Sequence, residues 1–580
     1  MLKECLEVFE DMLEKSQGQL VLDTYIPADG TYLIVDDAGN IIANTAIAKD
    51  KKTKAVDKSS RYFPDICFYD YQSQLISMNK PVDPKKIIHS NSYLSFFVKK
   101  ESIVSGKLTE EIIDSYYDIL KNPVEKKYKK SKEASKIYEL FEKTEGKVDQ
   151  EAAGRNRQWI KEHIFHLENV DFGKKDYLKI FFQADRSMYE RESRRYILPN
   201  IYNNNKFNVE IEGKVYGMPD NNLGMNAKKP FLSMKSRKCG TPYLVDGDTA
   251  ILQKTFFDYL MNLVSGGKYH IYVDTEKKKI YGCANGEAPE EVASGYYFCI
   301  RKGKTEAEIY GEDNIPGYKR KLDPPFTFRN ILGVRHEKRP EYEIYGKYYD
   351  RVQAGRLIDQ VLFSNFLGNN YSMEPGEINI KKDEIMRQNI LFSKDAIFDW
   401  IYKGREKGID RILQKTALAM IKSSVIKDDR ERVFWQFNLK WSFQEYFSKE
   451  KGEDMGEIIT GIREKVERKV FSDGVIPVES DREYYYCVGQ LAGYLISLSK
   501  AKDKNQSLIN PIINGKTDEG IKRHLLHLYK KYNYTISDGY KRVKNLLAMV
   551  EGYKPETYPD QEMIILGYAC DNVIYKKEGK

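Results

Sequence analysis

Two stretches decide the fold of the carboxy-terminal half: Asp481-Arg-Glu-Tyr-Tyr-Tyr-Cys-Val-Gly-Gln-Leu-Ala-Gly-Tyr-Leu-Ile-Ser-Leu-Ser-Lys500 and Ile521-Lys-Arg-His-Leu-Leu-His-Leu-Tyr-Lys-Lys-Tyr532. In the first, Val488, Leu491, Leu495 and Leu498 fall on one helical face, and Gly489 and Gly493 flatten the neighbouring face so that another helix can approach closely. A second helix follows Pro511. Thr517 is placed to cap it, Ile521, Leu525 and Leu528 form its apolar stripe, and His524, His527, Lys530 and Lys531 flank that stripe. The pair predicts a buried seam inside a helical bundle.

Working outward, the same periodicity predicts helices over 355–367, 382–402, 409–425, 430–447, 457–471, 482–500, 518–532 and 540–552, so residues 351–580 read as an all-helical bundle. Residues 1–350 read differently. After an opening amphipathic helix, period-two patterns at 20–26 and 31–36, with a turn at Ala38-Gly-Asn40, predict consecutive hairpins. Strand pairs recur at 207–212 with 214–217, 269–274 with 280–283, and 296–301 with 307–310, which predicts antiparallel sheet. Between them, 121–136 carries seven lysines on a helical pattern. The expected fold class is α+β: an amino-terminal body of helices and antiparallel strands over 1–350, then the bundle.

Ninety-four Lys and Arg stand against 86 Asp and Glu, a net charge of +8 that is too small to imply a polyanionic partner unless the cations cluster. Seven cysteines, odd in number and without a Cys-x-x-Cys pair, argue against a disulfide scaffold and for a reducing, cytoplasmic location. The first residues form an acidic amphipathic pattern and not a signal peptide. No uncharged run approaches the ~20 residues of a membrane span, so no membrane partner is expected.

Enzyme motifs do not stand out. Gly515-Lys-Thr517 ends like a phosphate-binding loop, but Asn510 occupies the first glycine position and no strand precedes it. Asp246-Gly-Asp248 lacks the remaining ligands of a calcium loop and reads as a turn. His163 with His166, and His524 with His527, have a metal-compatible spacing without a third ligand. Cys239, His270, Cys283 and Cys299 match no familiar zinc spacing. The expectation is no cofactor, no metal and no catalytic role.

Polar and basic clusters are more informative. Asn203, Asn204 and Asn205 with Asn221, Asn222 and Asn226 bracket a hairpin, and asparagine both donates to and accepts from a base edge. The next residues, Lys228, Lys229, Lys235, Arg237 and Lys238, supply five cations and no acid, suited to phosphates. Lys500, Lys502 and Lys504 can follow a single strand, with Tyr484–Tyr486 available for stacking or for the core. Residues 126–132 and 318–322 are weaker basic stretches.

The wording Tyr485-Tyr-Cys-x-Gly-Gln-Leu-x-x-Tyr-Leu, followed by Ser499-Lys-Ala-Lys502, resembles the large subunit of subtype I-B CRISPR Cascade complexes. Residues 77–100 (Ser-Met-Asn-Lys-Pro-Val-Asp-Pro through Phe-Val-Lys-Lys) and 230–238 (Pro-Phe-Leu-Ser-Met-Lys-Ser-Arg-Lys) resemble that family's amino-terminal and central segments, in the same order. The resemblance implies a non-catalytic subunit that reads the protospacer-adjacent motif of double-stranded target DNA, opens the duplex and stabilises the R-loop. Its implied partners are guide crRNA, Cascade backbone and small subunits, and the helicase-nuclease. It also implies that a small subunit can arise from an internal start. Met455 is placed for one: the 126-residue product 455–580 keeps both seam helices. A metal-dependent nuclease, or a nucleic-acid-binding protein outside CRISPR, are the alternative readings.

Overall fold

The computed structural model describes residues 1–50, 56–203, 205, 208–219, 244–303, 307–334, 344–371, 373–381, 383–448, 454–499, 506–536 and 540–577. The chain is α+β, with its main sheets in the amino-terminal half and helices dominating the carboxy-terminal half. It forms two compact units, one of residues 1–285 and 292–316, the other of 286–291 and 317–580. The division thus falls before the expected boundary at 350, and the second unit is not purely helical. It includes a hairpin of Lys321–Phe328 and Gly346–Asp350. Packing explains the assignment: Phe326 stacks on Phe443 of the Arg430–Phe447 helix at 4.1 Å between centroids, and Arg329 holds both carboxylate oxygens of Glu445 at 3.1 and 3.0 Å.

In the first unit, strands β1 (Gly30–Val35), β2 (Ile41–Ile47), β3 (Ser95–Lys99) and β4 (Tyr177–Phe182) form a sheet of order β2-β1-β4-β3. The β1–β2 hairpin is as expected. The parallel pairing of β1 with β4, Gly30 opposite Tyr177, is not legible locally because the two strands are far apart in sequence. Every residue of β1 is buried, as a central strand covered on both faces requires. Tyr69 of the Phe63–Gln72 helix and Tyr189 of the Arg186–Asn200 helix stack at 4.3 Å beside Phe181 of β4. The expected strand at 20–26 is instead a short helix, Gln19–Thr24, entered through Gly18 at φ 79°.

Strands β5 (Val209–Ile211), β6 (Lys214–Gly217) and β7 (Val245–Asp246) make a small antiparallel sheet. Strands β8 (His270–Asp274), β9 (Lys279–Cys283), β10 (Gly295–Lys302) and β11 (Ala307–Ile315) make a larger one, of order β11-β10-β8-β9. Ile271, Val273, Phe298 and Ile300 bury one face of it against Phe256, Leu260 and Val264 of the Gly247–Ser265 helix. Asp246 caps that helix by accepting from the Thr249 N–H at 2.9 Å, so Asp246-Gly-Asp248 is a helix start and not merely a turn.

In the second unit the helices lie close to their predicted spans, at Arg351–Phe363, Glu384–Lys403, Ile409–Ile426, Arg430–Phe447, Met455–Phe471, Asp481–Ser497, Asp518–Tyr532 and Lys541–Glu551. Beyond the single turn Asn510–Ile513, one more helix, Gln561–Ala569, was not expected. It is the helix that the glycines of 481–500 receive: a Cβ on Gly489 would lie 2.0 Å from the Ile564 carbonyl oxygen, and one on Gly567 2.1 Å from that of Tyr486. Val488, Leu491 and Leu495 are buried in one core with Ile521, Leu525 and Leu528, whereas Leu498 is half-buried at its edge. Each fully buried leucine contributes about 1.5–3 kcal/mol. Beneath this core Lys469 and Glu483, both buried, pair at 2.7 Å, and Glu479 joins Lys469 at 3.1 Å.

Candidate nucleic-acid interface

Most of the site residues expected from sequence lie outside the described residues: Asn204, Asn221, Asn222, Asn226, Lys228, Lys229, Lys235, Arg237, Lys238, Lys500, Lys502 and Lys504. Asn203 and Asn205 are described, and both shape the turn before β5. The Asn203 N–H donates to the Met218 carbonyl at 2.8 Å, while Asn205 accepts from Asn208 through its backbone oxygen at 3.1 Å and its side-chain oxygen at 3.3 Å. Tyr484, Tyr485 and Tyr486 are all buried, so stacking on a strand is excluded for them. Tyr484 donates to Asp518 at 2.5 Å and Tyr485 to the Thr557 carbonyl at 3.2 Å.

The weaker basic stretches also turn partly inward. The stem of Lys127 is half-exposed, but its ammonium points inward onto the carbonyls of Lys80 and Pro81, and burial together with the neighbouring Lys80 charge brings its pKa down to about 7. Arg320 donates to the Ala288 carbonyl at 3.0 Å.

Of the described candidate ligands, His270 and His163 are engaged within the fold. His270 lies opposite Cys283 on one neighbouring strand and Cys299 on the other, which places the three in a row across the sheet. The His270 ring is engaged, however, by the Tyr297 hydroxyl at 2.7 Å and the Asn285 side-chain oxygen at 3.1 Å, and burial lowers its pKa to about 4. Cys239 lies outside the described residues. His163 stacks on Trp159 at 4.4 Å and bonds the Trp159 carbonyl oxygen. Among the described residues no three His, Cys, Asp or Glu side chains are placed to hold a metal ion. Gly515-Lys-Thr517 is the lead-in to a helix, where Thr517 accepts from the Gly520 N–H at 3.2 Å.

One cationic surface among the described residues is the outer face of the Asp518–Tyr532 helix. Its inner positions Ile521, Leu525, Leu528 and Tyr532 are buried, which forces the intervening positions outward. Arg523, His524, His527, Lys530 and Lys531 are exposed and make no ion pair among the described residues. Steps of four and three connect 523, 527 and 530 along one side, and Tyr534, 73% exposed, lies in the 3-10 turn Asn533–Thr535 that follows the helix. Leu526 adds exposed apolar surface, and no acid follows Glu519 within the helix. Lys522 alone is spent, on Asp518 at 3.3 Å and the Tyr553 carbonyl at 2.6 Å. From 523 to 531 the face covers about 12 Å of helix, the span of roughly three phosphates of a stacked strand.

The histidines and lysines of this face are legible in the sequence. Arg523 joins them only once the helix phase is fixed by the buried leucines.

Two of the open clefts are electrostatically less suited to the role. One of about 550 Å³, at the carboxy-terminal end of the Asp481–Ser497 helix, balances Arg430, Arg463 and Lys576 against Asp428, Glu467 and Asp571. The other, of about 510 Å³ at the carboxyl ends of β1 and β4, sets Asp36, Asp37, Asp149 and Asp185 against Arg155 and repels phosphate. No described helix is long and apolar enough to cross a membrane. No protein-family model, curated protein or solved structure matches the chain.

Proposed function

We propose that this chain is the large subunit of a type I-B CRISPR Cascade surveillance complex, a non-catalytic subunit that reads the protospacer-adjacent motif in duplex DNA, helps to open it and stabilises the R-loop. The division of labour is physically economical: guide pairing reads the sequence, while the protein reads a short duplex motif and holds strands apart. Three ordered sequence segments support the family. The single structural observation that carries nucleic-acid contact is the basic face of the Asp518–Tyr532 helix, without an ion-pair partner among the described residues, with the exposed Tyr534 in the turn that follows it, a combination of phosphate neutralisation and aromatic stacking suited to single strands.

In this reading Asn221, Asn222 and Asn226 contact the motif, Lys228 and Arg237 the backbone, and Lys500, Lys502 and Lys504 continue the single-strand path. The internal product from Met455 would be the small subunit. It would forgo the Asp454 side chain, which caps the Met455–Phe471 helix by accepting from the Gly456 and Glu457 N–H groups.

Affinity purification of the tagged chain from its native host tests the assignment. The expected result is a complex carrying crRNA and repeated backbone subunits that binds target DNA with a preference in a randomised flanking library and leaves it intact in Mg²⁺ or Mn²⁺. A chain that purifies alone and cleaves DNA with either metal contradicts it.

A further inference from the structure

In the first unit, the segment from Val82 to Tyr93 and the helices Glu110–Lys121, Lys132–Glu145 and Arg186–Asn200 line a cavity of about 30 Å³. Among the described residues four buried polar atoms on its wall lack a well-formed hydrogen bond: Asn91 Oδ1 and Tyr93 Oη have no partner, and Tyr138 Oη and Arg195 Nη1 meet only through an imperfect contact between the Tyr138 hydroxyl and the Arg195 guanidinium. Their residues are 2%, 1%, 2% and 5% exposed. The rest of each polar group is already committed. Asn91 Nδ2 donates to the carbonyls of Gln72 and Gln74, which also fixes the orientation of the amide. Arg195 spends Nε and Nη2 on Glu192 and the Gly146 carbonyl, and its Nη1 is 3.9 Å from the Glu142 carboxylate.

Left dry, these four atoms would forfeit hydrogen bonds that water supplies in the unfolded chain, a loss comparable with the whole stability margin of a domain. We propose that the cavity holds one or two ordered water molecules that bridge Asn91, Tyr93, Tyr138 and Arg195. The volume agrees, since about 10–15 Å³ accommodates one water. The chemistry separates water from an anion. A halide accepts from Tyr93, Tyr138 and Arg195 but cannot donate to Asn91 Oδ1, and the buried Glu192 carboxylate on the same wall opposes it. Water does both. The bridge fastens the Val82–Tyr93 segment to two helices, Lys132–Glu145 through Tyr138 and Arg186–Asn200 through Arg195.

Thermal unfolding of the full chain with conservative hydroxyl deletions tests this by sign. Tyr93→Phe and Tyr138→Phe remove a bond to bound water and should each lower the first melting transition, by about 2 °C. Tyr117→Phe is the control, because Tyr117 Oη is buried without a partner among the described residues but does not line the cavity; its removal should leave the transition unchanged or raise it. If Tyr93→Phe and Tyr138→Phe behave like the control, the cavity is dry and the proposal fails. A crystal structure should show density within hydrogen-bond reach of at least three of the four atoms. An anomalous peak there after a bromide soak would assign the site to a halide and overturn the proposal as well.

Discussion

The helix Asp481–Ser497 buries thirteen of its seventeen residues, whereas the Asp518–Tyr532 helix buries only four and turns outward five basic side chains that make no ion pair among the described residues. Both belong to one core, joined through Val488, Leu491 and Leu495 against Ile521, Leu525 and Leu528. The difference lies in what each tolerates. At Gly489 the approaching element is backbone, which cannot rotate away; at Arg523 or Lys530 the neighbour is solvent. Stability should therefore be sensitive on the first helix, and partner affinity on the outer face of the second.

The largest effect is expected at Gly489→Ala. The added carbon meets the Ile564 carbonyl oxygen at 2.0 Å, so the Gln561–Ala569 helix must move, at a cost of about 3 kcal/mol or more. Urea unfolding of the full chain checks this, and a loss under about 1 kcal/mol would mean that the two helices are not in backbone contact. Next come the leucines. Leu491→Ala and Leu495→Ala should each cost about 2–5 kcal/mol, and Leu498→Ala, half-buried at the margin, clearly less. Equal losses at 495 and 498 would break the gradient that defines the seam.

A pH effect sharpens the same region. Burial pushes the Asp481 carboxyl up, but hydrogen bonds from Thr557, Tyr553 and the Glu556 N–H outweigh it and hold its pKa below the usual aspartate value. Its stabilising contribution is thus complete above the unfolded carboxylate pKa near 4 and is lost as pH falls through the lower folded value. Asp481→Asn should reduce stability at pH 7 and flatten the decline between about pH 5 and 2. An unchanged acid limb would show that Asp481 is not a principal proton site there.

How much of this was readable beforehand differs between the regions. The seam helices follow from the spacing of Val488, Leu491 and Leu495, and the Asp518–Tyr532 span agrees at both ends with its capping residue Thr517 and its apolar stripe. Gln561–Ala569 escaped because Met563, Ile564, Ile565 and Leu566 are buried without a polar face to mark a period. The parallel β1–β4 pair escaped because register between distant strands is set by packing and not by local pattern. At 20–26, alternation imitated a strand until Gly18 at φ 79° turned the chain into a helix. Tyr484–Tyr486 offered both stacking and packing chemistry, and only tertiary burial separates the two.

The contrast between the two helices, and with it the proposed nucleic-acid contact, is tested most directly by Arg523→Ala, Lys530→Ala and Lys531→Ala combined in one full-length chain. Single-stranded DNA affinity is measured across a salt series alongside urea unfolding. Three lost phosphate contacts should reduce the slope of log affinity against log salt by about 2. The unfolding free energy should stay within about 0.5 kcal/mol per site, as for other exposed substitutions. An unchanged salt slope with wild-type affinity would contradict the account.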